Sequence, residues 1–254
     1  MIITKSYLQQ IIKEEMTHLL ELNEIPVLEG EAVNLRDPID VLNAFAKKLV
    51  SRGYDVSNSQ ELGTGKNGTV YSLGNKNKVL KITIDEVEAR AANHLKGKKL
   101  QHVIPIHDVF SFPSKQGQEW YGVILSQADE LSNQEKMYFD MHVKLIVSNI
   151  NLDSADEQVN NPWLLSWNKI KQRVLKNTKP DPQEYQDAKE AIAFLEDDSI
   201  QFDKLLKELI SHKIEYNDVH SNNFMRYKNR FVLVDLGGDG RSPGAEPNML
   251  ENKK

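Results

Sequence analysis

Three stretches of the chain carry residues whose types and spacing could do chemistry. The first is Gly63-Thr64-Gly65-Lys66-Asn67-Gly68-Thr69-Val70, a G-x-G-x-x-G run that leads into β-branched residues. In a dinucleotide-binding unit the third glycine opens a helix; here a strand follows. The Walker pattern is also missing, because Gly65-Lys66 is followed by Asn67 and no glycine stands five positions before Gly65. A glycine loop between antiparallel strands lets backbone N–H groups approach phosphates where a Cβ would clash. A plain hairpin tip is the competing reading. The second stretch is Val79-Leu80-Lys81-Ile82, thirteen residues after Gly68. The Lys81 ammonium can pair with the α- and β-phosphates of a nucleotide and with a carboxylate on the following helix. Glu88 is the expected partner and Glu86 the alternative. The third is Tyr-Asn-Asp-Val-His-Ser-Asn-Asn-Phe-Met at 216–225, with Asp218 and Asn223 five apart; Val234-Asp235-Leu236-Gly237 follows.

Two kinds of element must position these groups. Residues 57–130 read as a β-rich lobe. Thr69 to Leu73 and Lys78 to Thr83 are extended, with Gly74-Asn75-Lys76-Asn77 as the turn between them. Asp85 to Leu95 reads as a helix, then Val103 to Phe110 and Trp120 to Ser126 as strands. Residues 131–254 read as a helical lobe. Ser132 and Glu135 form a capping box ahead of Lys136 to Ile150. Helices follow over 163–176, 183–196 and 200–212, the last with Ile200, Leu205, Leu206, Leu209 and Ile210 on its apolar side. Arg230 to Val234 is strand-like. Ahead of both lobes, residues 1–56 read as a helical arm. Its helices are 6–22, with Ser6 and Gln9 as a capping box, and 38–52, between Asp37-Pro38 and Gly53. The expected fold class is α+β.

Composition narrows the function classes. The 254 residues are 39% hydrophobic and 27% charged, with 13 Gly and 9 Pro, which excludes collagenous and low-complexity chains and fits one or two domains. A net charge of −5 argues against general nucleic-acid binding. With no cysteine there is no disulfide, Cys-ligated metal or Cys nucleophile, and a reducing compartment fits. Apolar runs as short as Leu145-Ile146-Val147 predict no membrane span. Lys13, Glu14 and Glu15 interrupt any signal-peptide pattern, so a cytoplasmic location is expected.

The pair Asp218…Asn223 and Asp235-Leu236-Gly237 resembles the catalytic loop H-R-D-x-x-x-x-N and the metal loop D-F-G of protein kinases. Phosphoryl transfer needs an acceptor for the attacking hydroxyl's proton, which Asp218 fits. It also needs hard oxygen ligands for a divalent metal, which Asn223 and Asp235 supply. With the glycine loop and Lys81 ahead of them in order, residues 58–240 resemble the protein-kinase-like superfamily. Asp-Val-His-Ser-Asn-Asn-Phe-Met is most similar to the short serine/threonine kinases that lytic phages make early in infection. His220 also resembles the H-G-D-x-H-x-x-N loop of aminoglycoside and choline phosphotransferases. The resemblance implies a two-lobed protein-kinase-like fold, with a small antiparallel β-rich N-lobe, a helical C-lobe, and ATP and magnesium between them. It implies that Gly63, Gly65 and Gly68 cover the phosphates and that Lys81 pairs with Glu88. Asp218 would be the base and Asn223 and Asp235 the metal ligands, with Ser126 to Ala128 along the adenine. A viral serine/threonine kinase acting on host proteins in the host cytoplasm is the activity it implies.

The chain departs from the kinase pattern at several positions. Tyr216 and Asn217 replace the usual His and Arg, His220 replaces a lysine, and Leu236 replaces Phe. The 19 residues after Asp235 leave no room for a long activation segment, so the substrate is expected to meet the helices between Ser132 and His212 or the N-terminal arm. A small-molecule kinase and a pseudokinase or binding module are the alternatives. His220 is expected to anchor the loop, Trp163 and Trp167 to pack between helices, and His102 and His107 to be structural. Ile3 to Glu15 is similar to openings of structural proteins of tailed marine phages, and its helix is expected to dock on a partner or on the body.

Overall fold

Residues 61–126 build a five-stranded antiparallel sheet from β1 (Glu61–Thr64), β2 (Gly68–Ser72), β3 (Lys78–Thr83), β4 (Ile106–Phe112) and β5 (Trp120–Ser126), in the order β1-β2-β3-β5-β4. The computed structural model describes residues 25–29, 31–74, 77–115, 117–150, 163, 165–212, 214 and 218–237. The helix expected over 6–22 with its docking role, Tyr216, Asn217 and the tail from 238 lie outside the described residues. Helix α1 (Pro38–Ser51) begins at Asp37, whose Oδ1 accepts the Asp40 N–H at 2.9 Å, with Pro38 in the first turn. Its Val41, Leu42, Phe45 and Leu49 are buried with Tyr71, Leu80, Ile82, Phe110, Phe112 and Ile124 on one face of the sheet. Strand alternation sends Val79, Val109, Val123 and Leu125 to the other face. There they meet Ala92 and Leu95 of α2 (Glu86–Leu95), which connects β3 to β4. β5, with every residue buried, is covered on both faces.

The second apolar cluster continues without a break into α3 (Asn133–Ile150), α4 (Trp167–Thr178), α5 (Pro182–Glu196) and α6 (Phe202–Ser211). Phe139 and Phe202 lie at its centre, with Trp163, Trp167 and Phe224 ringing Phe202. A small antiparallel sheet of β6 (Asp129–Glu130), β7 (Phe224–Tyr227) and β8 (Arg230–Leu233) completes this α+β architecture. The capping box forms: the Ser132 N–H and hydroxyl donate to Glu135 Oε2, and the Glu135 N–H returns to Ser132 Oγ at 3.3 Å. No helix among the described residues is long and apolar enough to cross a membrane.

Several expectations shift. The strand expected from Val103 starts at Ile106, beyond Pro105, and runs on to Phe112; Val103 keeps a single bridge to Leu233. The helix expected from 163 starts at Trp167. On α6, Ile210 is 38% exposed and Phe202 takes its expected place in the core. β1 and β7 were not expected as strands. All four β1 residues are exposed, so no burial alternation marks it, and its pairing with β2 alone defines it. β7 is defined by its pairing with β8 through Lys228-Asn229, both at positive φ (49° and 63°) as in a two-residue I′ turn.

Candidate active site

Lys81 lies between Leu80 and Ile82, both wholly buried toward α1. Alternation therefore turns it to the α2 face, with Val79. Glu88, Ala89, Ala92 and Leu95 form the buried stripe of α2, so Glu88 points at that face, 3% exposed. Lys81 Nζ contacts Glu88 Oε1 and Asp235 Oδ2, the latter at 2.9 Å. Glu86 lies off the stripe and holds Arg90 Nε at 2.7 Å. Burial works against the Lys81 ammonium, but Glu88 and Asp235 outweigh it and the pKa moves up. Burial pushes Glu88 up to about 7, opposed by Lys81 and helped by Asp235. For Asp235 burial acts upward too, but Lys81 and the Gly237 N–H prevail and its pKa falls. A cation held between two carboxylates is thus kept charged at neutral pH.

The three glycines are not alike. A Cβ on Gly68 would fall 2.9 Å from Thr83 Cα and closer still to the Ile82 carbonyl oxygen, so β3 itself requires glycine there. A Cβ on Gly63 would meet nothing within 4 Å, and one on Gly65 only Gly68 O at 3.8 Å. Neither has positive φ. The fold does not need glycine at 63 or 65; close approach by a ligand would.

Asn223 ends the 3₁₀ turn Ser221–Asn223, and Asp218 stands three residues before that turn. Asn223 Nδ2 donates to Asp218 O at 2.8 Å and Asp218 Oδ2 at 3.1 Å; of its two side-chain polar atoms, the amide oxygen is the type that can ligate a metal. His220 Nε2 is 3.3 Å from Asp218 Oδ2. The turn is pinned from α3, where Asp140 accepts the Ser221 N–H at 2.6 Å and its hydroxyl at 2.7 Å. Asp140 carries no recognisable sequence signal. The β7–β8 hairpin explains the spacing to Asp235: Phe224 pairs with Leu233, and the Val234 N–H donates to Asn223 O at 2.9 Å. Asp235 therefore follows directly on the residue bonded to Asn223.

Ser126 to Ala128 join β5 to β6, which pairs with β7 through Asp129↔Arg226 and Glu130↔Met225. Ser126 is 7% exposed and its Oγ bonds His107 Nε2 at 2.9 Å, so this side chain is turned into the protein. His102 lies 3.1 Å from Gln201 and beside Glu208 of α6.

Among the described residues, no group of three or more His, Cys, Asp or Glu is disposed to hold a metal ion. Asn223 and Asp235 each carry a side-chain oxygen, the donor type that magnesium takes beside phosphates and water. No protein-family model matches the chain, and a search of curated proteins returns no match.

Proposed function

We propose that the chain is an ATP- and magnesium-dependent phosphotransferase that moves the γ-phosphoryl group to an alcohol, with the serine or threonine of a protein as the acceptor. One observation carries the reading: Lys81, from a strand, is joined at once to Glu88, from the next helix, and to Asp235, 154 residues away. Ion pairing this buried has a high desolvation cost. A glycine loop whose first two glycines the fold does not require, together with Asp218 bonded to Asn223, fits a polyanionic phosphate ligand better than stability alone. The five-stranded antiparallel sheet followed by helices is compatible with the two-lobed fold that the resemblance implies, and this too supports the reading.

In this reading Lys81 offers its ammonium to the α- and β-phosphates, and Glu88 keeps that ammonium in place. Gly63 and Gly65 open the loop to the phosphates. Asn223 and Asp235 would hold magnesium, which neutralises charge on the transferring group. Asp218 takes the acceptor hydroxyl's proton, and Asn223 holds the Asp218 carboxylate in position. Rate comes mainly from positioning and electrostatics. The backbone of Ser126 to Ala128 is where adenine would lie.

A second reading, a small-molecule kinase, is favoured by His220 beside Asp218. The test is transfer of label from γ-labelled ATP with magnesium, in a bacterial lysate and with aminoglycoside and choline acceptors, beside Asp235→Ala. Labelled protein bands that vanish in the variant support the protein kinase of viral type acting on host proteins. Labelled small molecules support the second reading. No variant-sensitive label in either would favour a pseudokinase and refute the proposal.

A further inference from the structure

We infer that Asp85 is a positioning residue that ties the glycine loop, the Glu88 helix and the metal loop into one unit; this rests on the phosphotransferase reading. Asp85 is the N-cap of α2, and its Oδ1 accepts the Glu88 N–H at 3.1 Å. Its other oxygen, Oδ2, accepts from Asn67 Nδ2, at the tip of the glycine loop, at 3.1 Å. The backbone of the same Asn67 is held as well: its carbonyl accepts the Ile84 N–H at 2.9 Å and the Thr83 hydroxyl at 3.2 Å. Thr83 Oγ1 in turn accepts the Asp85 N–H at 3.1 Å. A Cβ on Gly237 would lie 3.0 Å from Asp85 Oδ2 and 3.1 Å from Asp235 Oδ1, so the backbone after Asp235 sits against the same carboxylate.

A cap needs one oxygen, and Asn or Ser would serve α2 as well as Asp. The second oxygen is spent on the loop. The result is that the lid over the phosphates and the carboxylate that fixes Lys81 cannot move independently. A carboxylate accepting from both sides makes both bonds charge-assisted. Asp85 touches no phosphate-binding atom directly and acts through Asn67 and Glu88.

The experiment exchanges the two side chains. Asp85→Asn keeps the cap but turns an amide N–H toward Asn67, whose amide must rotate to accept it in a neutral bond without charge assistance. Asn67→Asp sets two carboxylates face to face. Combining them restores a single bond with donor and acceptor reversed. Each single variant is expected to weaken MgATP binding by about tenfold in calorimetry, the loss of one charge-assisted bond, and the double to return within about threefold of wild type. Equal binding by wild type and singles, or a double no tighter than the weaker single, overturns the proposal. A second readout uses no nucleotide: amide hydrogen exchange in Asn67→Ala should speed up across residues 86–89, which Asn67 reaches through Asp85. Unchanged exchange there overturns the latch even if ATP binds. Faster exchange in a protein whose wild type binds no MgATP overturns the phosphotransferase reading and with it the functional role of Asp85.

Discussion

Lys81 keeps 12% of its side chain exposed and meets two carboxylates brought from a helix and a distant loop. Asp218 keeps 34% exposed and meets the Asn223 amide and the His220 imidazole, both within its own loop. The proposed nucleotide side is thus fixed by the packing of the sheet against α2, because Glu88 cannot leave without emptying the buried stripe of that helix. The proposed acceptor side is fixed by short polar bonds within its loop, with Asp140 of α3 and the Val234 N–H holding that loop from outside. The difference teaches where variation is cheap: changing the acceptor asks little of the core, whereas changing the Lys81 site disturbs the fold.

Substitutions on the two sides should have effects that separate cleanly. The largest falls on rate alone. Asp218→Asn should slow phosphoryl transfer by about 10²–10⁴, while its thermal midpoint and MgATP affinity stay near wild type; a large loss of stability would show that Asp218 is not on the loosely held side. Next, Lys81→Met should cost about 3 kcal/mol of stability in urea unfolding, the lower end for breaking a buried pair, since Glu88 can neutralise itself by taking a proton. It should abolish nucleotide binding as well. A fully stable Lys81→Met protein would show that the buried pairing of Lys81 does not hold the fold.

The pH dependence has a defined sign. A carboxyl whose pKa rises on folding stabilises the protein below its ordinary value, 4.5 for Glu88, and that contribution is lost as pH climbs through about 7. The urea midpoint of the wild type should fall over this interval, and Glu88→Gln should flatten the fall. An identical slope in both proteins would remove Glu88 from the explanation. The smallest effects divide the glycine loop itself. Gly68→Ala should lose about 1–3 kcal/mol through its clash with β3. Gly63→Ala should change stability by less than about 0.5 kcal/mol yet weaken MgATP. Equal stability losses at both positions would mean that the loop's glycines serve only the hairpin.

The parts legible in the sequence are those governed by local chemistry. Asp37-Pro38 and the Ser132/Glu135 box announced α1 and α3 because a cap is a bond within four residues. The β-branched runs of β2 and β3 and the apolar run of β5 announced the centre of the sheet. Lys81, Glu88 and Asp235 were legible as candidates, and Glu88 over Glu86 follows from which of them shares a helical face with Ala92 and Leu95. What escaped was non-local. β1 has no burial pattern, and β7 exists through its pairing with β8. Asp140 and Asp85 draw their roles from bonds to residues 81 positions after and 18 positions before them. Asp85 did leave a trace, an Asp three residues ahead of Glu88 at a helix start, but a cap reading accounts for only one of its two oxygens.

The most direct test of the central claim is calorimetric titration of the wild type, Lys81→Met and Asp235→Ala with ATP, with and without magnesium. The wild type should bind ATP more tightly with magnesium, Asp235→Ala should lose the magnesium enhancement, and Lys81→Met should lose binding altogether. Magnesium-independent binding of equal affinity in all three, or no binding by the wild type, would contradict that claim.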